Sequence, residues 1–373
     1  MSHQGFRLVT SASLLAAAAP AAALRPKLVV FDAMRHEIKY LKKAADRHGA
    51  GLETQMLNNI KLSPETVDLA KGAAAVSVFV NDHVDSTILT RLNELGVKHV
   101  ATRSAGFNHI DTVAAKHMGI AVSRVPAYSP HSVAEFAVAL ILAANRRVVT
   151  AASRIKQGNF SLTGLVGFDL HGKTVGVVGT GKIGQCFIKI MLGFGCRILC
   201  HDPFPSPEVA AWPNVTYAPL DTLFTESHVL SLHCPLTPET KHLINEDSLD
   251  RMRDGVLLVN TSRGGLIDSL ALIRALKVQR VGAAGLDVYE HEADMFFEDH
   301  MDAGDAFFVD KSFARLLSFQ NVVITGHQGF LTHEALERIM DTLFLNVRAF
   351  LLLSPDTDEE KSMRKALAGN LVF

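Results

Sequence analysis

Short apolar runs separated by longer stretches of mixed polarity set the architecture of this chain. Runs at 28–31, 73–80, 98–102 and 120–122 read as strands, and helical periodicity fills the intervals near 37–48, 66–72, 86–95 and 110–118. Gly49 closes the first of those helices. Strands that are apolar throughout, alternating with helices, predict a parallel sheet covered on both faces. Pro126 and Pro130 then hold an extended break. Beyond it, 132–149 reads as one long apolar helix without Gly or Pro, suited to bridging two domains. A second alternating series follows, with strands near 174–178, 197–201, 215–217, 228–233, 256–260, 281–286 and 322–325. The last helix, about 333–353, is apolar along one side and is expected to return to the first domain. The pattern predicts an α/β fold of two doubly wound parallel-sheet lobes, with a ligand in the cleft at the carboxyl ends of their strands.

One strand carries a sharper signal. After the run 174–178 come Gly179, Gly181 and Gly184 at GxGxxG spacing, then a helix at 185–194, then the strand 197–201 ending at Asp202. The first glycine suits a tight turn, the second a close approach of backbone to a diphosphate, and the third helix-on-strand packing. The helix dipole favours the diphosphate. Asp202 stands where a carboxylate takes the ribose hydroxyls of NAD and repels the extra phosphate of NADP. Lys182 and Ile183 lie inside the same loop.

Composition narrows the classes. Lys+Arg 37 against Asp+Glu 38 gives a formal net charge of -1, which offers no electrostatic case for nucleic acid. No apolar run reaches membrane-spanning length. Cys186, Cys196, Cys200 and Cys234 form no CxxC pair, and the first three fall in apolar runs, as core thiols would. The 17 histidines form no ligand cluster, so no metal site is expected. Residues 1–26 lack acidic residues and are rich in Ala. They fit a disordered extension, an organelle transit peptide or, less well, a secretory segment. The expected location is the cytoplasm, with a mitochondrial address as the alternative.

Three side chains in loops after successive strands could carry chemistry: Arg263, Glu292 and His327. Each has a bland reading alone. Arg263 could pair with Asp268, Glu292 and Glu290 could form a solvated acidic patch, and a loop histidine is commonly structural. Together they form the set that hydride reduction of a carbonyl needs. Histidine donates a proton near neutral pH, a carboxylate orients and stabilises the imidazolium, and a guanidinium binds a 2-oxo acid's carboxylate.

With these residues in view, the chain resembles the D-specific 2-hydroxyacid dehydrogenases over roughly 27–355, and within that family the D-lactate dehydrogenases. The resemblance rests on Arg103-Ser-Ala-Gly-Phe-Asn108, Val125-Pro-Ala-Tyr-Ser-Pro130, Gly179-Thr-Gly-Lys-Ile-Gly184, Asn260-Thr-Ser-Arg-Gly264, Gly285-Leu-Asp-Val-Tyr-Glu290 and Thr325-Gly-His-Gln-Gly-Phe-Leu-Thr332. It implies that Arg263 binds and polarises substrate, Glu292 supports the histidine, and His327 is the acid/base. It also implies that amides around Ala105 and Gly106 cradle the substrate carboxylate, and that Tyr128 and Phe330 flank a small substrate. Asp202 would take the adenosine ribose, and Cys234, Pro235, Thr261 and Asp287 would line the cofactor.

The long connection 294–317 is also more like the D-lactate dehydrogenases than other branches. The implied reaction is reversible hydride transfer between NADH and pyruvate, giving D-lactate. The alternatives are a bulkier 2-oxo acid such as hydroxypyruvate or phenylpyruvate and, remotely, an NAD-sensing co-repressor-like binding protein. The expected organisation is an extension at 1–26, a flavodoxin-like substrate domain from 27–126 and 330–373, and a Rossmann-type NAD domain at 127–329. The expected partners are a small 2-oxo or 2-hydroxy acid and further copies of the chain, as a homodimer or larger. Helix 132–149 and the segment 168–171 are the candidate interface.

Overall fold

The computed structural model describes residues 25–292, 295–296, 310–352 and 358–373. Residues 1–24, 293–294, 297–309 and 353–357 lie outside the described residues, and with them the expected extension and much of the 294–317 connection. Two parallel sheets organise the rest. The first contains β1 (Lys27–Ala33), β2 (Glu53–Asn58), β3 (Ala75–Val78), β4 (His99–Thr102) and β5 (Ala121–Ser123), in the order β2-β1-β3-β4-β5. This is the flavodoxin-like order. The second contains β6 (Thr174–Val178), β7 (Arg197–His201), β8 (Val215–Tyr217), β9 (Val229–Leu232), β10 (Val256–Asn260), β11 (Val281–Leu286) and β12 (Val322–Ile324). Its order is β12-β11-β10-β9-β6-β7-β8, so the winding reverses between β6 and β9. Dinucleotides bind at such a reversal.

The strands form where apolar residues can be buried on both faces. All five residues of β6 are buried, as are all five of β10 and all four of β9. β2 is an edge strand in which only Leu57 is buried, and the apolar pattern did not anticipate it.

The helix expected at 132–149 is not continuous. It runs Pro130–Asn145, breaks at Arg147 in the left-handed region (φ 51), and resumes as Val148–Lys156 at 60° to the first part. Periodicity alone cannot show a break made by one backbone torsion. Helix Pro130–Asn145 packs on helix Lys182–Gly193, β10 and β11, so most of its apolar side is consumed within the chain. In the stretch that follows, Val148, Val149, Ile155, Phe160, Leu162 and Val166 are exposed. The helix expected at 66–72 is a short 3-10 turn, Val67–Ala70, and the helix Asp358–Asn370 was not foreseen. Cys186 is half-buried rather than in the core. No single helix among the described residues is long and apolar enough to cross a membrane.

Helix His333–Leu351 packs on helix Ile38–His48 and on β4, so the chain returns to the first sheet after β12. The two passages between the sheets meet. Ser129 caps helix Pro130–Asn145 and Thr332 caps helix His333–Leu351, and the Ser132 hydroxyl lies 2.7 Å from Ser129 Oγ and 2.8 Å from Thr332 Oγ1.

Candidate active site

The glycine loop after β6 has a separate physical reason for each glycine. Gly179 takes φ 97, and a Cβ there would stand 2.7 Å from the His233 carbonyl carbon. At Gly184 a Cβ would collide with the Gly179 carbonyl oxygen. Gly181 caps helix Lys182–Gly193, and the space where its Cβ would lie is open to 4 Å. A cavity of about 270 Å³ adjoins Gly181, Lys182, Ile183 and the Pro126–Pro130 segment. Open space before unsatisfied N–H groups at a helix start fits a diphosphate. Further along, Thr261 Oγ1 is buried without a hydrogen-bond partner on the wall of the main cleft, beside Cys234 and Pro235. These residues fit a dinucleotide.

The main cleft, about 450 Å³, lies between the carboxyl ends of the two sheets. It brings together Ala105, Gly106, Tyr128, Arg263, Asp287, His327 and Phe330. Glu292 stands behind His327 and accepts a hydrogen bond from His327 Nδ1 at 2.8 Å; its other oxygen accepts from Tyr289 N at 2.8 Å. Glu290 instead meets His242 and the Ser269 amide, away from His327. Asp202 lies outside the main cleft, on the far side of the glycine loop, where it accepts from Thr180 N at 2.7 Å and from Phe204 N at 2.9 Å.

Arg263 is aimed by its own loop. Asn260, at the end of β10, donates to the Arg263 carbonyl at 2.8 Å and accepts from Ser262 N at 3.0 Å. The Arg263 guanidinium donates to the Ser262 carbonyl at 2.7 Å and lies against Gly106, where a Cβ would collide with Nη2. The Ala105–Gly106 turn is pinned through its carbonyls: Arg124 donates to Ala105 at 3.2 Å and Ser104 Oγ to Gly106 at 2.6 Å.

His327 adopts φ 54, an uncommon backbone state for a residue other than glycine. Asp287 stabilises it. Its carbonyl accepts from His327 N at 2.7 Å, and its carboxylate accepts from Thr325 Oγ1 at 2.6 Å, Gln328 N at 2.9 Å and Gly329 N at 2.7 Å. Burial pushes the Asp287 carboxyl above its ordinary range, and these donors oppose the rise. Burial also pulls His109 down to about 4, with the charges of His83, Arg263 and Arg103 acting in the same direction. His233 is pulled down to about 3 by burial and stays neutral beside the glycine loop.

The sequence reading missed several cleft residues. Phe79, Val80, Ile339 and His233 all line it. Phe79 and Tyr128 pack on Phe330 with ring centroids 6.0 Å and 6.3 Å away. Arg103, quoted only as part of a motif, is fully buried, hydrogen-bonded to Glu37 and the Phe31 and Asp32 carbonyls, and stacked under Phe79. Phe79 lies inside the apolar run 73–80, but β3 stops at Val78 and leaves Phe79 in the loop after it.

Comparison with known proteins agrees with this geometry. Residues 138–329 match the family described as D-isomer specific 2-hydroxyacid dehydrogenase, NAD binding domain. The chain is 48% identical to the D-lactate dehydrogenase of Escherichia coli (strain K12) over 321 residues, 86% of this chain and 95% of that protein. It resembles the structure of the pyruvate reductase of Chlamydomonas reinhardtii with a TM-score of 0.82 at 41% identity, covering 88% of this chain and 96% of that one. The D-lactate dehydrogenase of Aquifex aeolicus, solved with NAD and lactic acid, superposes with a TM-score of 0.79 at 33% identity, covering 92% and 98%. The chain belongs to the D-isomer specific 2-hydroxyacid dehydrogenases, NAD-dependent enzymes built on a Rossmann domain.

Proposed function

We propose that the chain is an NAD-dependent D-lactate dehydrogenase that interconverts pyruvate and D-lactate. The observation that carries this reading is the cleft itself. A histidine bonded to a carboxylate and an arginine set against a glycine turn share a chamber walled by Phe79, Tyr128 and Phe330. Such rings leave room for a methyl group. Relatives named for D-lactate and pyruvate chemistry support the same substrate.

The glycine loop, Asp202 and the wall of Cys234, Pro235 and Thr261 would hold the cofactor, which when bound would supply the hydride. Arg263 and the Ala105 and Gly106 amides hold the carboxylate, and Arg263 polarises the carbonyl. His327, with Nδ1 donating to Glu292, passes a proton from Nε2 to the carbonyl oxygen. In the reverse direction the same nitrogen accepts the hydroxyl proton. Glu292 fixes the ring orientation and balances the imidazolium charge.

We assign 27–126 and 330–373 to the substrate lobe and 127–329 to the cofactor lobe. The exposed apolar residues from Val148 to Val166 support self-association as a homodimer through this face.

The test is loss of NADH absorbance with pyruvate, hydroxypyruvate and phenylpyruvate in parallel, followed by chiral analysis of the product. Fast conversion of pyruvate to D-lactate supports the proposal. Preference for phenylpyruvate overturns the substrate, and an L product overturns the orientation of substrate in the cleft.

A further inference from the structure

We infer that Tyr217 and Thr180 form a hydrogen-bonded relay that positions the Asp202 carboxylate and thereby sets the preference for NADH over NADPH. This rests on the reading of Asp202 as the ligand of the adenosine ribose. Thr180 sits between the first two glycines of the loop and is 3% exposed. It reaches one oxygen of Asp202 twice: its N–H donates to Oδ2 at 2.7 Å and its hydroxyl donates to Oδ2 at 3.0 Å. The Tyr217 hydroxyl, on the edge strand β8, donates to Thr180 Oγ1 at 2.8 Å and accepts from Ser206 N at 3.0 Å.

The direction of every proton in this chain is determined by its ends. Ser206 N–H can only donate and an ionised carboxylate can only accept. Thr180 gives its single hydroxyl proton to Asp202, so in the contact between the two hydroxyls Tyr217 must be the donor, while it accepts from Ser206. Hydrogen bonds aligned in this way reinforce one another. Asp202 Oδ2 is thereby occupied by two donors, while Oδ1 accepts only the Phe204 amide at 2.9 Å. A carboxylate oxygen has room for about two donors, so Oδ1 is the oxygen left to take a ribose hydroxyl. The relay also ties the acid to the diphosphate loop, so loop and acid hold one geometry. A carboxylate pinned there cannot swing aside for a ribose phosphate, whose charge it repels.

The test compares Tyr217→Phe, Thr180→Val and Thr180→Ser with Asp202→Ala, measuring NADH affinity by fluorescence and kcat/KM with NADH and with NADPH. Loss of one relay bond is expected to raise the NADH Kd about fivefold. The same loss should lower the NADH/NADPH ratio by about fivefold or more in Tyr217→Phe and Thr180→Val. Thr180→Ser keeps the hydroxyl and should restore both. In Tyr217→Phe, kcat at saturating NADH and the KM for pyruvate should not move. A purely structural role would weaken both cofactors alike and leave the ratio fixed. If Asp202→Ala collapses the ratio while Tyr217→Phe and Thr180→Val keep it within about twofold, the relay is refuted and the ribose reading stands. If Asp202→Ala leaves the ratio unchanged, the ribose reading fails and takes the relay with it. Tyr217 and Thr180 lie at different points of the relay, so a folding defect in one variant leaves the other to decide.

Discussion

Gly106 and Arg263 occupy adjoining space so closely that residue 106 has no room for a side chain: a Cβ there would collide with the guanidinium. The two residues lie on different sheets, one after β4 and the other after β10, so the contact spans the cleft. Gly106→Ala must push the arginine off its station. A displacement of about 1 Å in a substrate-holding group can cost about 10²-fold in turnover efficiency. The variant should lose about that much kcat/KM for pyruvate while NADH affinity, measured separately, is kept. Unchanged pyruvate kinetics would mean that Arg263 does not hold the substrate.

Glu292→Gln keeps the shape of the side chain and removes its charge. On the proposed role, the imidazolium loses the partner that stabilises it, so pyruvate reduction should fall by about 10²-fold and its pH profile should move to lower pH. A steady-state pH series decides. A profile that stays in place would reduce Glu292 to a packing residue.

Phe330→Ala removes the ring that touches both Phe79 and Tyr128. The proposal predicts a rise of about tenfold or more in the kcat/KM ratio of phenylpyruvate to pyruvate. Truncation of a buried Phe costs about 3–5 kcal/mol, so a melting curve must accompany the kinetics. No change in the ratio in a folded variant would move the methyl pocket elsewhere.

The glycines of the loop separate folding from binding. Gly184→Ala places a methyl into the Gly179 carbonyl and should be recovered poorly or as misfolded protein. Gly181→Ala meets nothing within 4 Å in the protein, so its Tm should stay near that of the parent. Its methyl would point into the space proposed for the diphosphate, and NADH titration should show affinity down by at least about tenfold. Tight NADH binding by Gly181→Ala would displace the proposed diphosphate site.

Acid should destabilise the fold in a stated window. Burial lowers His99 and His233 from 6.5 to about 3, so between those values the unfolded chain binds more protons than the folded one. Their contribution is complete above about pH 6.5 and is lost as pH falls toward 3. Asp82 acts oppositely. Burial raises it from 3.8 to about 6, so its contribution is present at low pH and lost as pH climbs through that range. His109, lowered to about 4, adds to the two histidines, and Asp287 and Asp32, also raised by burial, add to Asp82; above about pH 6 the imidazoles govern the balance, because the unfolded chain takes up their protons there. Urea midpoints should therefore fall between about pH 7.5 and 5, and His99→Asn should flatten the slope. A midpoint that rises on acidification would contradict the assignment of buried neutral imidazoles.

The large sheet was legible because its central strands β6, β9 and β10 are buried throughout and end in loops that carry glycine and polar residues. β7, β8, β10 and β11 lie where the apolar runs placed them. The edge strand β2 was not, since one buried side chain in six leaves almost no pattern. Arg263, Glu292 and His327 were found because each follows a strand end closely in sequence. Phe79 and Arg103 also follow strand ends, directly after β3 and β4, but neither belongs to the set that hydride chemistry needs. Their places come from packing between distant elements, with Phe79 against Phe330 and Arg103 against Glu37. The choice between Glu290 and Glu292 rested on family resemblance. In the structure it rests on a hydrogen bond.

The meeting of Ser132 with Thr332 has a mechanical consequence. Two independent passages across a cleft would let the lobes twist and shear as well as close. Here they are tied at the starts of two capped helices by the hydroxyl pair, and again by Arg338, which donates to the Tyr128 carbonyl at 3.1 Å, so twist and shear would have to break these contacts. His327 lies on the passage that ends at Thr332, five residues before this junction, so any movement of one lobe on the other would displace the proton donor less than the groups at the cleft's rim.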